Sequence, residues 1–427
     1  MKVLIISYNP LTLNNNGGKF FTSLFSEFDV SEKCQLFIYD TLPDKKRCCS
    51  YYRITDNDVV KMLIGGSKNH ELGPSELLVP SKHCTQQSIV NPQKGRALKL
   101  IVRDVLWKLV PWKRSVSKWI EKEKPDYIVS DTGDSCFLYS ISMWASKKYN
   151  LPMVGIFGDD YYSIQVPFVR PIEYIQMELL KRKIFSFIDK CDKIVTLNHK
   201  FTKYYQKEFG EDNKSKYMTI YMGATLDLGY LKYQNGGCLG ESKRLSYIGN
   251  LSLGRMDVLK ELGEALDVIN TEFGLNHRMY IYAKVNNDVK KCFFNIDSVV
   301  LGGFIDPIDI PDIIDESNIL VHVESFKKEY VEKTKFSVST KIADYLSSKR
   351  CLLAYGPDTI ASMEHLLENR AAYCICKQSD LSDSLNRLLN NDMMIESFAH
   401  KGYECYKKYH ESSNNSKKLK ALFVDNI

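Results

Sequence analysis

A lysine set behind two hydroxyls at the start of a helix is phosphate-binding chemistry, and the chain offers it in Ser337-Val338-Ser339-Thr340-Lys341-Ile342-Ala343-Asp344. Ser339 and Thr340 can cap that helix and also present hydroxyl and N–H groups to a diphosphate, while Lys341 adds a positive charge. Asp344 lies three residues after Lys341, so both project from one side of the first turn, one suited to phosphate and the other to a ribose. A plain capped helix is the competing reading. A second place of this kind is Gly249-Asn250-Leu251-Ser252-Leu253-Gly254-Arg255, a flexible glycine loop whose arginine can grip phosphate oxygens bidentately, or a simple surface turn. Carboxylates that could take a proton from an attacking hydroxyl stand at Gly158-Asp159-Asp160-Tyr161, although the same pair could cap a helix or bond backbone. Adjacent side chains diverge, so at most one of Asp159 and Asp160 acts directly. Glu324, just past a strand ending at His322, either reaches the site or is a solvated loop residue.

These residues need strands to carry them. The run Val3-Leu4-Ile5-Ile6, bounded by Asn9-Pro10, reads as a buried parallel strand, and Asn14 to Gly18 forms a glycine loop before apolar residues at helical spacing at 20, 21, 24 and 25. The unit recurs with strands at 125–131, 152–157 and 193–197 and helices at 135–148 and 170–189. A second series follows, with strands at 245–249, 279–283, 298–302, 318–322 and 351–355 and a helix at 341–347. Alternation of this kind implies two α/β, doubly wound parallel sheets, which bind ligands at the carboxyl ends of their strands. The Gly-rich stretch from Tyr233 to Gly240 reads as the linker, giving domains at 1–228 and 243–395 and a C-terminal helical segment at 396–427.

A length of 427 residues fits two cores, and 44% hydrophobic with 26% charged residues is ordinary globular composition. A net charge of +6 suits a phosphate-bearing ligand or an anionic surface and does not require nucleic acid. Twelve cysteines without CxxC spacing, and no signal peptide, point to a reducing cytoplasm and mostly buried thiols. The eight histidines form no HxxxH pair, so no metal site and no cofactor are expected, and His199 and His322 read as structural. From Lys94 to Lys124 ten Lys or Arg residues interleave with Trp107, Trp112 and Trp119. That is either a core helix with a solvated basic face or a peripheral contact on an anionic membrane.

Tyr247-Ile248-Gly249 with Arg255, Ser339-Thr340-Lys341, Asp344-Tyr345-Leu346 and Leu353-Ala354-Tyr355-Gly356-Pro357 resemble the donor-binding half of GT-B glycosyltransferases. The likeness is to the family 4-like group of bacterial cell-surface polysaccharide synthesis, most specifically between 245 and 357. It implies two Rossmann-like domains facing a cleft and a metal-independent transferase of hexosyl type. A nucleotide-diphosphate sugar would bind in the C-terminal domain, and a glycan or lipid-linked glycan acceptor in the N-terminal one, on the cytoplasmic face of the inner membrane. Gly249, Arg255 and Lys341 would meet the diphosphate, Asp344 would hold the ribose where the family commonly has Glu, and Gly17-Gly18 would match the first glycine loop. Phe336 stands where the family's Glu-x7-Glu pattern has its first carboxylate, so no argument about retention rests on it. Charge stabilisation of the departing diphosphate falls to Arg255, Lys341 and helix N-termini. A silent sugar-nucleotide-binding subunit and a sugar-nucleotide epimerase of the same fold are the competing functions.

Overall fold

In the computed structural model, which describes residues 1–13, 15–63, 65–66, 71–73, 95–233 and 242–424, the strands of each sheet are all paired in parallel. The chain divides into two units, residues 1–221 with 412–427, and residues 222–411. In the first, strands β1 (Val3–Ser7), β2 (Lys33–Phe37), β3 (Ser50–Arg53), β4 (Tyr127–Asp131), β5 (Met153–Phe157), β6 (Lys193–Thr196) and β7 (Tyr217–Thr219) lie in the order β3-β2-β1-β4-β5-β6-β7. The second has β8 (Arg244–Ile248), β9 (Arg278–Tyr282), β10 (Val299–Leu301), β11 (Ile319–Val323), β12 (Cys351–Tyr355) and β13 (Tyr373–Ile375) in the order β10-β9-β8-β11-β12-β13. In each sheet the order reverses beside the first strand, between β1 and β4 and between β8 and β11. Those are the switch points where an open α/β sheet leaves a crevice at its carboxyl edge.

Strands apolar on both faces were legible, and β1, β11 and β12 are buried along their whole length. The β2 strand was not, because polar residues interrupt it. Its Gln35 is fully buried, donates to Ser7 Oγ (2.9 Å) and Asn9 O (3.0 Å), accepts from Leu11 N (3.0 Å), and so pins the loop after β1. That loop leads to the helix Asn16–Leu24, capped by Asn15, whose side chain accepts from Gly18 N at 2.8 Å. A Cβ on Gly18 would lie 2.8 Å from Thr12 O and 2.9 Å from Pro10 O, so glycine is required there by packing. Asn14 and residues 234–240 of the expected linker lie outside the described residues.

The observed domain limits differ from those read from the sequence. The second unit begins at Met222 and not at 243, because Leu228 and Leu231 are buried in its core. The stretch 396–427 is not one segment: the helix Asp392–Cys405 packs on β12, whereas the helix Ser412–Val424 returns to the first unit, where Phe423 meets Phe28 and Tyr127. Sequence periodicity carries no signal for such long-range returns.

The three tryptophans of the basic segment are core residues and not interfacial ones. Trp107, Trp112 and Trp119 are all buried, and their Nε1–H groups donate to Asp56 Oδ1, Trp107 O and Ser50 Oγ. What the helix Arg96–Leu109 exposes instead is a set of apolar residues, Leu98, Val102, Val105 and Leu109, beside the basic Arg96, Lys99 and Lys108.

Candidate functional site

The carboxyl edge of the second sheet gathers four elements around one spot. After β8 the chain passes Gly249, then a loop ordered by Tyr247, whose hydroxyl donates to Asn250 O, and by Asn250, whose Oδ1 accepts from Ser252 and from Arg255 Nη1 (3.2 Å). Gly254 ends the loop with φ +75°. A Cβ there would meet Ser325 Oγ at 2.6 Å and Tyr330 at 2.7 Å, so both backbone and space require glycine. The helix Arg255–Phe273 then starts with Arg255 itself. After β11 comes Glu324, whose N–H donates to Tyr355 O at 2.9 Å, and after β12 comes Gly356, where a Cβ would press on Glu324 at 3.0 Å. The helix Thr340–Ser347 sets Lys341 with its ammonium 5.0 Å from the centre of the Tyr247 ring, filling the space a side chain at 249 would take.

Two cations and one anion share this spot. Arg255 Nη2 donates to both oxygens of Glu324 at 3.0 and 3.1 Å, and His322 Nε2 lies 3.6 Å from Glu324 Oε1 and 3.4 Å from Ser362 Oγ. Burial raises Glu324, with Arg255 and Lys341 pulling the other way, while burial and the same two cations push His322 down to about 3, so the imidazole is neutral. Lys341 is half-buried as a residue, but its ammonium end is enclosed. Desolvation, followed by repulsion from Arg255, lowers it to about 8. Among the described residues no carboxylate lies within ion-pairing distance of Lys341. With Glu324 neutralising Arg255, the spot carries close to one net positive charge. Ser339 occupies the N-cap position of the 340–347 helix, yet its side chain makes no capping bond, so the first N–H groups of that helix are not capped by it.

The structure brings together Gly249, Arg255, Glu324, Ser339, Thr340 and Lys341, and corrects three roles. Glu324 is buried and paired, not solvated. Arg255 spends its bidentate contact on Glu324, so a phosphate would have to compete for it. Asp344 faces another way: its Oδ1 accepts from Thr225 N (2.6 Å) and Leu226 N (3.0 Å), which commits it to holding the 225–226 loop and removes it from the ribose role. Phe336 is buried, so no carboxylate occupies that position.

In the first unit Gly18 lies after β1 and Asp159 and Asp160 after β5, and the two aspartates separate. Asp160 Oδ1 accepts from Tyr162 N (2.9 Å) and Ser163 N (3.2 Å), a turn-forming role that corrects its reading as a proton acceptor, whereas Asp159 is exposed. The residue missed is Asp131 at the end of β4, at the switch point. It accepts from Thr132 N (2.9 Å) and Tyr8 N (3.4 Å). Burial, with a smaller push from Asp159, lifts its carboxyl to about 7. Among the described residues the buried hydroxyl of Tyr8 has no hydrogen-bond partner, and its ring leaves room only for glycine at Gly133. The one signal in the sequence was a carboxylate closing a predicted strand. That β4 neighbours β1 is decided by topology.

Two measurements check this electrostatic picture. An anion on Lys341 raises its pKa, so the affinity for a nucleoside diphosphate should fall as pH passes above about 8, and binding at pH 8 should take up protons. Calorimetry in buffers of different ionisation enthalpy reads this uptake, and Lys341→Met should abolish it; a pH-independent affinity between pH 7 and 9 would overturn the assignment. Asp131 has a raised pKa in the folded chain, so folding favours its protonated form. Stability is therefore lost as pH rises from the unfolded carboxyl value, about 4, to about 7, and the loss is constant above. The gain in melting temperature of Asp131→Asn over wild type should accordingly grow between pH 4 and 7 and then level; an equal gain at pH 4 and 8 contradicts the shift.

Residues 265–421 match the family model described as "Glycosyl transferase-like", a span that includes Glu324 and Lys341 and begins after Arg255. No curated protein matches the sequence. Among solved structures, the chain is similar to Anabaena HepE in complex with UDP, at 11% identity and a TM-score of 0.66 over 100% of both chains. It is also similar to a mutant of S. aureus TarM in complex with fondaparinux, alpha-GlcNAc-glycerol and UDP, at 13% identity and a TM-score of 0.60 over 99% of this chain and 100% of that one. A third is a Listeria monocytogenes structure assigned as a UDP-N-acetylglucosamine 2-epimerase, at 12% identity and 0.55 over 99% and 95%. At these identities the likeness establishes the fold and not the substrate. The chain has the GT-B fold, and residues 265–421, most of its second unit and the start of the helix that returns to the first, resemble a glycosyl transferase-like family model.

Proposed function

We propose that this chain transfers a sugar from a UDP-sugar to a hydroxyl of a glycan or lipid-linked glycan in cell-surface polysaccharide synthesis. The observation that carries the reading is the enclosed ammonium of Lys341, held without a carboxylate partner beside a glycine loop and a helix N-terminus. An enclosed cation whose nearest negative charge, Glu324, is already paired with Arg255 is costly unless another anion comes to it, and a diphosphate is the anion that glycosyl transfer from a nucleotide sugar releases. As the anomeric C–O bond breaks, charge grows on the departing phosphate. Lys341 and the N–H groups of the 340–347 helix can stabilise it there, joined by Arg255 when phosphate displaces Glu324. This needs no metal. In the first unit, Asp131 and Asp159 are the carboxylates able to take the acceptor's proton.

A lipid-linked acceptor would be met at an anionic membrane surface, and an outward face of the first unit supports that. Leu98, Val102, Val105 and Leu109 on the helix Arg96–Leu109 are exposed, and the helix Pro171–Lys190 packed beside it exposes Ile172, Ile175 and Leu179. Just ahead of the latter, Phe168 and Val169 are 78% and 86% exposed. Lys99, Lys108 and Arg182, also exposed, supply basic charge alongside. No helix among the described residues is long and apolar enough to cross a membrane, so the contact would be peripheral.

Two experiments test the reading. A thermal-shift and turnover screen against UDP-, GDP- and other nucleotide sugars, with and without EDTA, should give selective stabilisation and nucleoside diphosphate release that survive EDTA. Stabilisation without turnover points instead to a silent binding subunit, and a changed sugar with no acceptor present to an epimerase. In the second, the chain should float with phosphatidylglycerol vesicles and not with phosphatidylcholine ones. The double variant Val102→Glu, Leu179→Glu should lose at least tenfold in binding; retention by that variant would sink the membrane face.

A further inference from the structure

We propose a metal-binding site, remote from the Lys341 cluster in sequence and in purpose, formed by His365, Cys405 and His410. All three are buried in the second unit, and their ligand atoms lie within 4.8 Å of one another. His365 Nε2 is 2.9 Å from His410 Nε2 and 3.6 Å from Cys405 Sγ. Tetrahedral zinc with its usual bond lengths sets ligand edges of about 3.3 Å between two nitrogens and about 3.6 Å between nitrogen and sulfur. One edge is already at that spacing, and the other needs to open by a few tenths of an ångström.

A second observation points the same way. Cys405 ends the helix Asp392–Cys405, and the next five residues, Tyr406–His410, form a π-helical turn. Residues five apart diverge by about 140° on an α-helix, whereas the wider turn of i→i+5 bonding narrows that divergence to about 50°. The π turn is therefore what puts Cys405 and His410 on one face, opposite His365 on the helix Ala361–Glu368. The supporting contact is in place as well: His410 Nδ1 lies 2.8 Å from Met222 O, to which it donates, leaving Nε2 directed at the cluster. Without metal, a proton between the two Nε2 atoms holds the imidazoles together. A divalent ion would replace it, with His365 shifting its proton to Nδ1, where the Asn369 amide now 3.3 Å away turns its oxygen to accept it, and the Cys405 thiol releasing one proton to solvent.

The ligand set, two imidazoles and a thiolate, suits zinc and its borderline neighbours and not magnesium or calcium. Its place suggests a clasp. His410 also accepts from Ala224 N at 2.9 Å, so an ion here would fasten the last residues of the second unit to its first ones.

The test uses the full chain grown with zinc and dialysed against metal-free buffer. Elemental analysis should find close to one zinc per chain, and cobalt exchange should give the near-ultraviolet thiolate-to-cobalt band. Cys405→Ser should lose that band and at least tenfold in zinc affinity while keeping its far-ultraviolet circular dichroism, and Cys292→Ser, at a half-buried cysteine outside the cluster, should keep both. Less than a tenth of an equivalent of zinc in wild type after direct zinc titration would overturn the site and leave a hydrogen-bonded His–His pair. So would a cobalt spectrum unchanged by Cys405→Ser.

Discussion

The second unit is organised around an ammonium group enclosed without a carboxylate. Lys341 loses solvation at the carboxyl edge of the sheet, and its neighbour Arg255 repels it. Several surrounding features reduce that penalty without cancelling the charge. The Tyr247 ring lies against the ammonium, Gly249 leaves it space, and Glu324 absorbs the arginine instead of the lysine. A carboxylate placed directly on Lys341 would relieve the strain and also occupy the position a phosphate needs. Stability given up at one residue is thus what keeps the site open to an anion.

Glu324 has a double part in this arrangement. It is buried, held by Tyr355 O through its backbone, wedged against Gly356, and bonded through both oxygens to Arg255. Removing its charge would leave Arg255 without its partner in a poorly solvated place, so its first role is to tame the arginine. Its second follows from competition: a diphosphate that draws Arg255 away leaves a carboxylate at the same edge whose pKa burial already raises. The neutral His322 beneath it adds no further charge.

The first unit repeats the architecture with a different chemistry. Its switch point is lined by Asp131, Tyr8 and the tight turn at Gly133, where burial favours a protonated carboxyl. The same strand order therefore presents an enclosed ammonium at one edge and a protonatable carboxyl at the other, because the residues at the strand ends and in the segments that follow them differ.

Much of this was legible in the sequence. Apolar β-branched runs buried on both faces announce β1, β11 and β12, and the glycine turns with Arg255 and the Ser339-Thr340-Lys341 step announce the cationic edge of the second sheet, because local spacing fixes what leaves a strand and what begins a helix. Tertiary structure decided everything that depends on distant partners. Asp344 has the right spacing for a ribose, yet two backbone N–H groups at 225 and 226 claim it. The tryptophans, which the sequence left as either core or interfacial, are core, since helix periodicity gives a stripe but not which stripe meets the sheet. Asp131 gained its meaning only when strand order put β4 beside β1, and His365 met Cys405 and His410 only when a π turn rotated one helix end. Periodicity is a property of neighbours along the chain, and pairing across forty or a hundred residues is settled by packing.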